Sequence, residues 1–475
     1  MSINYARILV FFTSASVLVL EILAGRLMAP YVGVSLETFT GIIGTILAGI
    51  ALGSAVGGRL ADKNEPNKMI GPALMAGGVL SWLSIPIVSF LGPGIGSAVP
   101  AIVILALFGF FLPAMVLTTV SPMVAKLRLQ SLTETGEVVG GLSAAGTVGA
   151  LFGTFFTGFV LVSAVPTRPI ILAVGLALVV WGIAHTIRLG SGKLPSGGIA
   201  LSAVLVFSAA TVSANPCEFE SAYACGRVVT DPDNPNLRFL VLDTLRHGAV
   251  DLEDPTHLEF RYINIIGDVI DTLPPGPVDA LHLGGGAFSI PRYINATRPG
   301  STHLVLEIDP LLVDVGREQL GLVTGPDLEV RTGDARLALA DLPTDGYDLV
   351  VGDAFGGLSV PWHLTTTEVI AELDRVLRPG GVYVMNIIDG DRNRFAEAEL
   401  ATFAEHFDFR AAVVPNDWPR KTPANQILIA SDHPITPPQV DFEHGVLVED
   451  IDAFSHGGIV LRDDFAPVEQ LAANP

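Results

Sequence analysis

Val278-Asp279-Ala280-Leu281-His282-Leu283-Gly284-Gly285-Gly286-Ala287 is an apolar run that stops at three glycines. A short apolar stretch closed by glycine reads as a strand buried inside a sheet, and the missing side chains let a ligand approach the backbone beyond it. Similar runs follow at His303–Ile308, Leu328–Thr332, Asp348–Val351 and Gly381–Ile387. Amphipathic helices fit between them at Pro310–Leu320, Thr366–Leu377 and Arg394–His406, with Pro310 at a helix start and Pro379-Gly380-Gly381 after a helix end. Strands alternating with helices specify a parallel α/β sheet, which Phe409–Val414 and Gln426–Ala430 extend to seven strands.

In such sheets ligands bind beyond the carboxyl ends of the strands. The first strand ends in Gly284-Gly285-Gly286; the second ends in Glu307 and Asp309, Glu307 lying 23 residues after Gly284, where a carboxylate accepts hydrogen bonds from a ribose diol. The third ends in Gly333-Asp334-Ala335 and the fourth in Gly352-Asp353-Ala354-Phe355. Singly, three glycines make a tight turn and each acid is a helix N-cap. Four in succession point to a nucleoside pocket. Pro361-Trp362-His363 follow in the loop that would cover a substrate. Trp362 offers a ring face to an apolar or cationic acceptor and His363 a base, and a packed loop is the plainer alternative.

The rest of the chain is of another kind. The whole is half apolar, with mean hydropathy +0.53, yet carries a formal charge of −21. Residues 1–214 hold 10 Lys and Arg against 6 Asp and Glu; residues 215–475 hold 17 against 42. A slightly basic membrane half therefore precedes an acidic soluble half, which excludes a wholly soluble or wholly disordered chain and argues against nucleic acid as a partner. Seven apolar stretches reach or approach the length of a membrane span, about 20 residues: Ile8–Tyr31, Phe39–Leu60, Ile70–Leu91, Ser97–Val120, Val138–Val162, Pro169–Ile187 and the shortest, Gly197–Ala214. The lipid bilayer is thus an expected partner. One set of loops holds Arg7, Arg59, Lys63, Lys68, Lys126, Arg128, Arg188 and Lys193; the opposite set holds Arg168. That bias puts the N-terminus in the cytoplasm and, after seven spans, the acidic half outside it.

Gly49, Gly53 and Gly57, like Gly149 and Gly153, clear a helix face for a neighbouring backbone. Glu21 and Arg26 are ionisable at membrane depth, where such groups pair or line a pathway; five residues apart they suit partners on different helices, or Arg26 reaches the interface. Cys217 and Cys225 follow the last span and form either a small disulfide loop or two buried thiols, and no metal-ligand spacing accompanies them. The domains expected are membrane helices at 1–214, a linker at 215–237, a small β-rich lead-in at 238–277 and the α/β domain at 278–475.

Leu281–Arg292, Val305–Asp309, Gly333–Ala335 and Tyr347–Phe355 resemble, in order and spacing, the nucleoside-binding core of spermidine synthases, the polyamine aminopropyltransferases. Leu242-Asp243 and the stretch through Tyr262 look like that family's N-terminal hairpin and tyrosine box. Leu20–Arg26 and Gly57-Gly58-Arg59-Leu60-Ala61-Asp62 resemble the membrane part of bacterial fused transporter-like/spermidine synthase proteins. The resemblance implies a class I methyltransferase-like (Rossmann-like) fold and decarboxylated S-adenosylmethionine, or S-adenosylmethionine, as co-substrate, with a small amine or polyamine as acceptor and no metal. It also implies roles. Gly284, Gly285 and Gly286 lie under the nucleoside, Glu307 with Asp309 holds the ribose, Asp334 with Ala335 faces the adenine, and Asp353 takes the proton of the attacking amine. Tyr262, His247, Trp362 and His363 stand on the substrate side.

The chain also departs from the family pattern. Ala287 stands where an aspartate binding the aminopropyl amine is usual, and Gly356 where a second aspartate is usual. His247 replaces a common glutamine and Asn264 a common glutamate. Two ammonium groups without carboxylate partners are costly to desolvate. Another acceptor, methyl transfer, or a non-catalytic sheet domain serving a membrane transport or accessory protein therefore all stay open, as does a homo-oligomer.

Overall fold

The computed structural model describes residues 1–96, 98–129, 135–189, 197–355, 360–417, 422–434, 436, 438–441 and 443–472. Ser97, Lys193 and Gly356, used above, lie outside them. The chain divides into two units, Met1–Arg227 with Leu242–Thr244, and Val228–Val241 with Leu245–Pro475.

The first unit is a helical bundle: α1 Ile3–Val32, α2 Leu36–Lys63, α3 Pro66–Ile95, α4 Val99–Arg128, α5 Thr135–Ala164, α6 Thr167–Arg188 and α7 Gly197–Val212. Six of these are long and apolar enough to cross a membrane, and Phe90, Phe159 and Val212 point outward from the unit, which is compatible with a membrane protein. At about 1.5 Å per residue the 16-residue α7 is about 24 Å long, short of about 30 Å of hydrocarbon.

The two ends of the bundle are fixed by side chains. At one end Tyr5 bonds His185 (3.0 Å) and Lys126 pairs with Asp62 (2.7 Å). At the other, Arg168 at the start of α6 donates to the Ser213 carbonyl just past α7 (2.8 Å). The end of α7 therefore lies at the Arg168 end of the bundle.

Glycines seat the helices. A Cβ on Gly53 would lie 2.1 Å from the Met115 carbonyl oxygen, and one on Gly149 would lie 2.1 Å from that of Phe11, so α2 rests on α4 and α5 on α1 by their backbones. Beyond α7, the stretch expected to be a linker contains strands β1 Phe219–Glu220 and β2 Cys225–Thr230, which pair antiparallel, and a disulfide joins Cys217 to Cys225 (Cα–Cα 5.2 Å).

The second unit opens with β3 Leu237–Leu242 and β4 Leu245–Asp251, where a hairpin is expected, then α8 Arg261–Thr272. Its large sheet is built from β5 Asp279–Leu283, β6 Thr302–Glu307, β7 Leu328–Thr332, β8 Tyr347–Gly352, β9 Leu377–Asp389, β10 Phe409–Val414, β11 Ala424–Ser431 and β12 Val446–Leu447. Their spatial order is β12-β10-β11-β9-β8-β5-β6-β7. The sheet has eight strands rather than seven, and it is not parallel throughout. β5 to β9 are parallel, whereas β11, β10 and β12 add antiparallel at one edge.

Helices cover both faces. Ile266 and Ile270 of α8 pack with Val351, Val384 and Ile427 on one; Phe395 and Phe403 of the helix Arg394–Phe403 pack with Leu281, Met385 and Leu428 on the other. This is a methyltransferase-like Rossmann fold. Strand order reverses between β5 and β8, whose ends meet at Leu283↔Gly352, so the crevice expected to take a ligand opens over Gly284 and Asp353.

Candidate functional site

At that crevice the glycine turn is obligatory. Gly284 has φ +96°, and a Cβ there would sit 2.5 Å from the Asp353 carbonyl oxygen. Gly286 is also left-handed, at φ +50°. The Gly285 N–H donates to Glu307 Oε2 (2.8 Å) and the Asp309 N–H to Glu307 Oε1 (2.9 Å). Burial pushes the Glu307 carboxyl above its ordinary range, against the pull of the Asp309, Gly285 and Gly286 N–H groups. A carboxylate offers about four lone-pair sites, so at least one stays available to a diol.

The other strand-end acids work locally. Asp309 is buried and caps the helix Pro310–Gln319 through the Leu311 N–H (3.0 Å). Asp334 caps the short helix Ala335–Leu339 through the Arg336 N–H (2.9 Å), with Ala335 buried behind it. Its second oxygen lies 3.4 Å from His363 Nε2, and Trp362, half exposed, stands edge-on to His363. Arg336 pins this corner through two bonds to Asp463 (2.8 and 2.6 Å) and one to the His363 carbonyl (2.9 Å).

Asp353 differs from these. Its oxygens accept from Asn386 Nδ2 (2.8 Å) and the Tyr262 hydroxyl (3.4 Å), both side chains, and burial pushes its carboxyl up to about 6 against those bonds. Asn386 is itself oriented by Asn425 (3.0 Å), and Tyr262 stacks on Phe260. Burial and the Asp353 charge hold the Tyr262 hydroxyl well above its ordinary range, so it stays a donor. A cavity of about 20 Å³ lies here, lined by Asp353, Tyr262, His247, His282 and the Gly284–Ala287 turn. Burial drops His247 to about 4, leaving it neutral. Among the described residues the cavity thus gathers Asp353, Tyr262, His247 and the glycines, while His363 and Trp362 group with Asp334. Ala287 is buried with its Cβ 2.6 Å from where a Gly248 Cβ would stand, and Asn264 is used up on the Leu258 and Phe260 carbonyls (2.7 and 2.9 Å).

Sequence reasoning missed Asn386 and His282. Each is a lone polar residue inside an apolar strand, which is the signal that could have found them. His282 Nε2 lies 3.1 Å from His303 Nδ1, and His303 Nε2 lies 3.1 Å from Asn295 Oδ1.

The chain matches no protein-family model. It is 31% identical over 142 residues to a polyamine aminopropyltransferase of Vibrio vulnificus, covering 29% of this chain and 47% of that protein. It is 29% identical over 174 residues to one of Chromobacterium violaceum, covering 35% and 65%. A crystal structure of a probable spermidine synthase from Corynebacterium glutamicum aligns with TM-score 0.49 at 24% identity, covering 55% of this chain and all of that one. The chain therefore spans less than two thirds of the curated relatives it matches, and those relatives are aminopropyl-transferring enzymes.

Proposed function

We propose that this protein is a membrane-tethered, spermidine synthase-like transferase that binds an S-adenosyl nucleoside, decarboxylated S-adenosylmethionine first, and passes its aminopropyl group to an amine. The observation that carries this is Asp353, a carboxyl held at about 6 at the strand-order switch, facing the glycine turn beside Glu307. Gly284–Gly286 and Glu307 would bind the nucleoside. The amine nitrogen attacks the carbon next to the sulfonium; the C–N bond forms, the C–S bond breaks, and the sulfur leaves with the electron pair as a neutral thioether. As nitrogen becomes positive its proton passes to Asp353, which Asn386 and Tyr262 aim. Alignment supplies most of the rest, because a thioether is already a good leaving group. With Ala287 at the usual aspartate position and one carboxylate among the described residues of the cavity, a monoamine or a singly charged end fits better than a free diamine.

A second reading is favoured by the helical unit. The disulfide and Arg168 share the bundle end opposite Lys126, Asp62 and Arg188. By the charge bias this end is extracytoplasmic, away from cytoplasmic S-adenosyl metabolites, which suits a membrane transport or accessory protein whose sheet unit binds a ligand or a protein. Calorimetry of the full chain in lipid nanodiscs with decarboxylated S-adenosylmethionine, followed by chromatography for thioether nucleoside after adding an amine, separates the two. Binding and release support the transferase; no binding of it or of S-adenosylmethionine overturns that reading in favour of the second.

A further inference from the structure

The helical unit holds a much larger cavity, about 260 Å³, near the ends of α1, α2 and α5. It lies just under the range of about 300–1,000 Å³ typical of drug-sized ligands, so it suits something small. Its walls are mostly apolar, from Ile22, Ala29, Phe39 and Val162. Its charges do not balance. Glu220 is fully engaged, by Arg26 (3.4 Å), the Thr167 N–H (3.1 Å) and the Thr167 hydroxyl, and Arg26 also donates to the Ala222 carbonyl (2.7 Å). Asp243 is left over. One of its oxygens accepts the Cys225 N–H (3.1 Å), and among the described residues the other has no hydrogen-bond donor. Burial raises its carboxyl above the ordinary range even against the pull of the Cys225 N–H and the Arg26 charge, which Glu220 shares, the condition that an incoming cation relieves.

We propose that this cavity binds one primary ammonium group, of a free alkylamine or of an aminophospholipid, with Asp243 as its counter-ion and the Phe39 ring beside its chain. Among the described residues that line the cavity only one carboxylate is spare, so a second positive charge has no partner and a diamine binds less well than a monoamine. Nothing here depends on the reaction of the sheet unit.

Two variants isolate the site. Asp243 has φ +50°, which asparagine also tolerates, and asparagine keeps the oxygen that receives the Cys225 N–H, so Asp243→Asn removes charge and little else. Gly158 lines the cavity, and a Cβ added there would meet nothing within 4 Å, so the side chain of Gly158→Leu has open space at its root and is chosen to occupy the cavity.

The test is calorimetry of the full chain in phosphatidylcholine nanodiscs with n-hexylammonium, n-hexanol and hexane-1,6-diammonium. We expect hexylammonium to bind, hexanol and the diamine to bind more weakly, and both variants to lose about tenfold to a hundredfold in affinity. Discs with phosphatidylethanolamine identify the source: hexylammonium binding lost there assigns a lipid headgroup, and binding kept there assigns a free amine. No binding in phosphatidylcholine, equal binding of hexanol or the diamine, or undiminished affinity in Asp243→Asn overturns the proposal.

Discussion

Asp353→Asn should make this protein sturdier and inactive at the same time. A carboxyl moved from 3.8 to about 6 binds its proton more tightly folded than unfolded. Its unfavourable contribution is absent below about pH 4, grows through about pH 6 and is complete above it, reaching at most about 3 kcal/mol. Partial solvent access lowers this to about 1–2 kcal/mol. Asparagine keeps an oxygen for the Asn386 amide and cannot ionise, so the variant should unfold later than the parent at about pH 8 and no later at about pH 4. Turnover should fall about a hundredfold to ten-thousandfold, the usual worth of a general base. The parent's rate should rise with pH through about 6 while the residual rate of the variant stays flat over that step. Thermal unfolding of the full chain at the two pH values, with thioether release as the activity readout, checks both. Turnover within about tenfold of the parent removes Asp353 as the base. Earlier unfolding at about pH 8 refutes burial as the cause of its raised proton affinity.

Three further outcomes follow from the same geometry. His247 and His303 are both held at about 4 by burial, so the unfolded chain takes up protons that the folded chain refuses between about pH 6.5 and 4. Stability should fall as pH drops through that window, and thermal unfolding of His247→Gln should show a shallower fall. Gly149→Leu would drive a side chain into the Phe11 carbonyl 2.1 Å away, so α5 should separate from α1 and the detergent-solubilised protein should lose roughly 2 kcal/mol or more, read as earlier thermal unfolding. Cys225→Ser should free Cys217 to react with a membrane-impermeant maleimide on intact cells if the charge bias orients the bundle, and opening the eight-residue separation should cost about 2.5 kcal/mol.

Much of this was legible because strands and their ends leave strong marks. Glu307 and Asp353 close apolar runs, and the fold puts such positions in one crevice whatever else the sequence does. Strand direction leaves no mark, since periodicity is the same forwards and backwards, and the antiparallel edge of β11, β10 and β12 was therefore invisible. β9 starts at Leu377, before the expected Gly381, because Arg378 is clamped by Asp348 and Asp279 (2.7 Å each), partners 30 and 99 residues away. Arg26 was recognisable as a residue needing a partner, but Glu220 stands 194 residues on, beyond the six helices α2 to α7. Helices Arg261–Thr272 and Ser289–Thr297 escaped notice because β-branched isoleucines and an internal Pro291 weaken their helical pattern.

The strand-end acids do not all testify equally to function. Asp309 and Asp334 cap helices, and two N–H groups occupy Glu307; a fold with no ligand at all would still gain from them. Among the described residues Asp353 receives no backbone N–H in place of water, only two side chains that aim it, and its ionised form weakens the sheet unit at neutral pH. A hydrophobic or amide residue there would serve the fold better, as the Leu349–Gly352 end of β8 that leads into it is buried and apolar. Three acids can be explained by the fold alone, and one opposes it. The weight of the catalytic reading therefore rests on Asp353, and it is the substitution there, rather than at the better-bonded Glu307, that separates an enzyme from a sheet that merely has the shape of one.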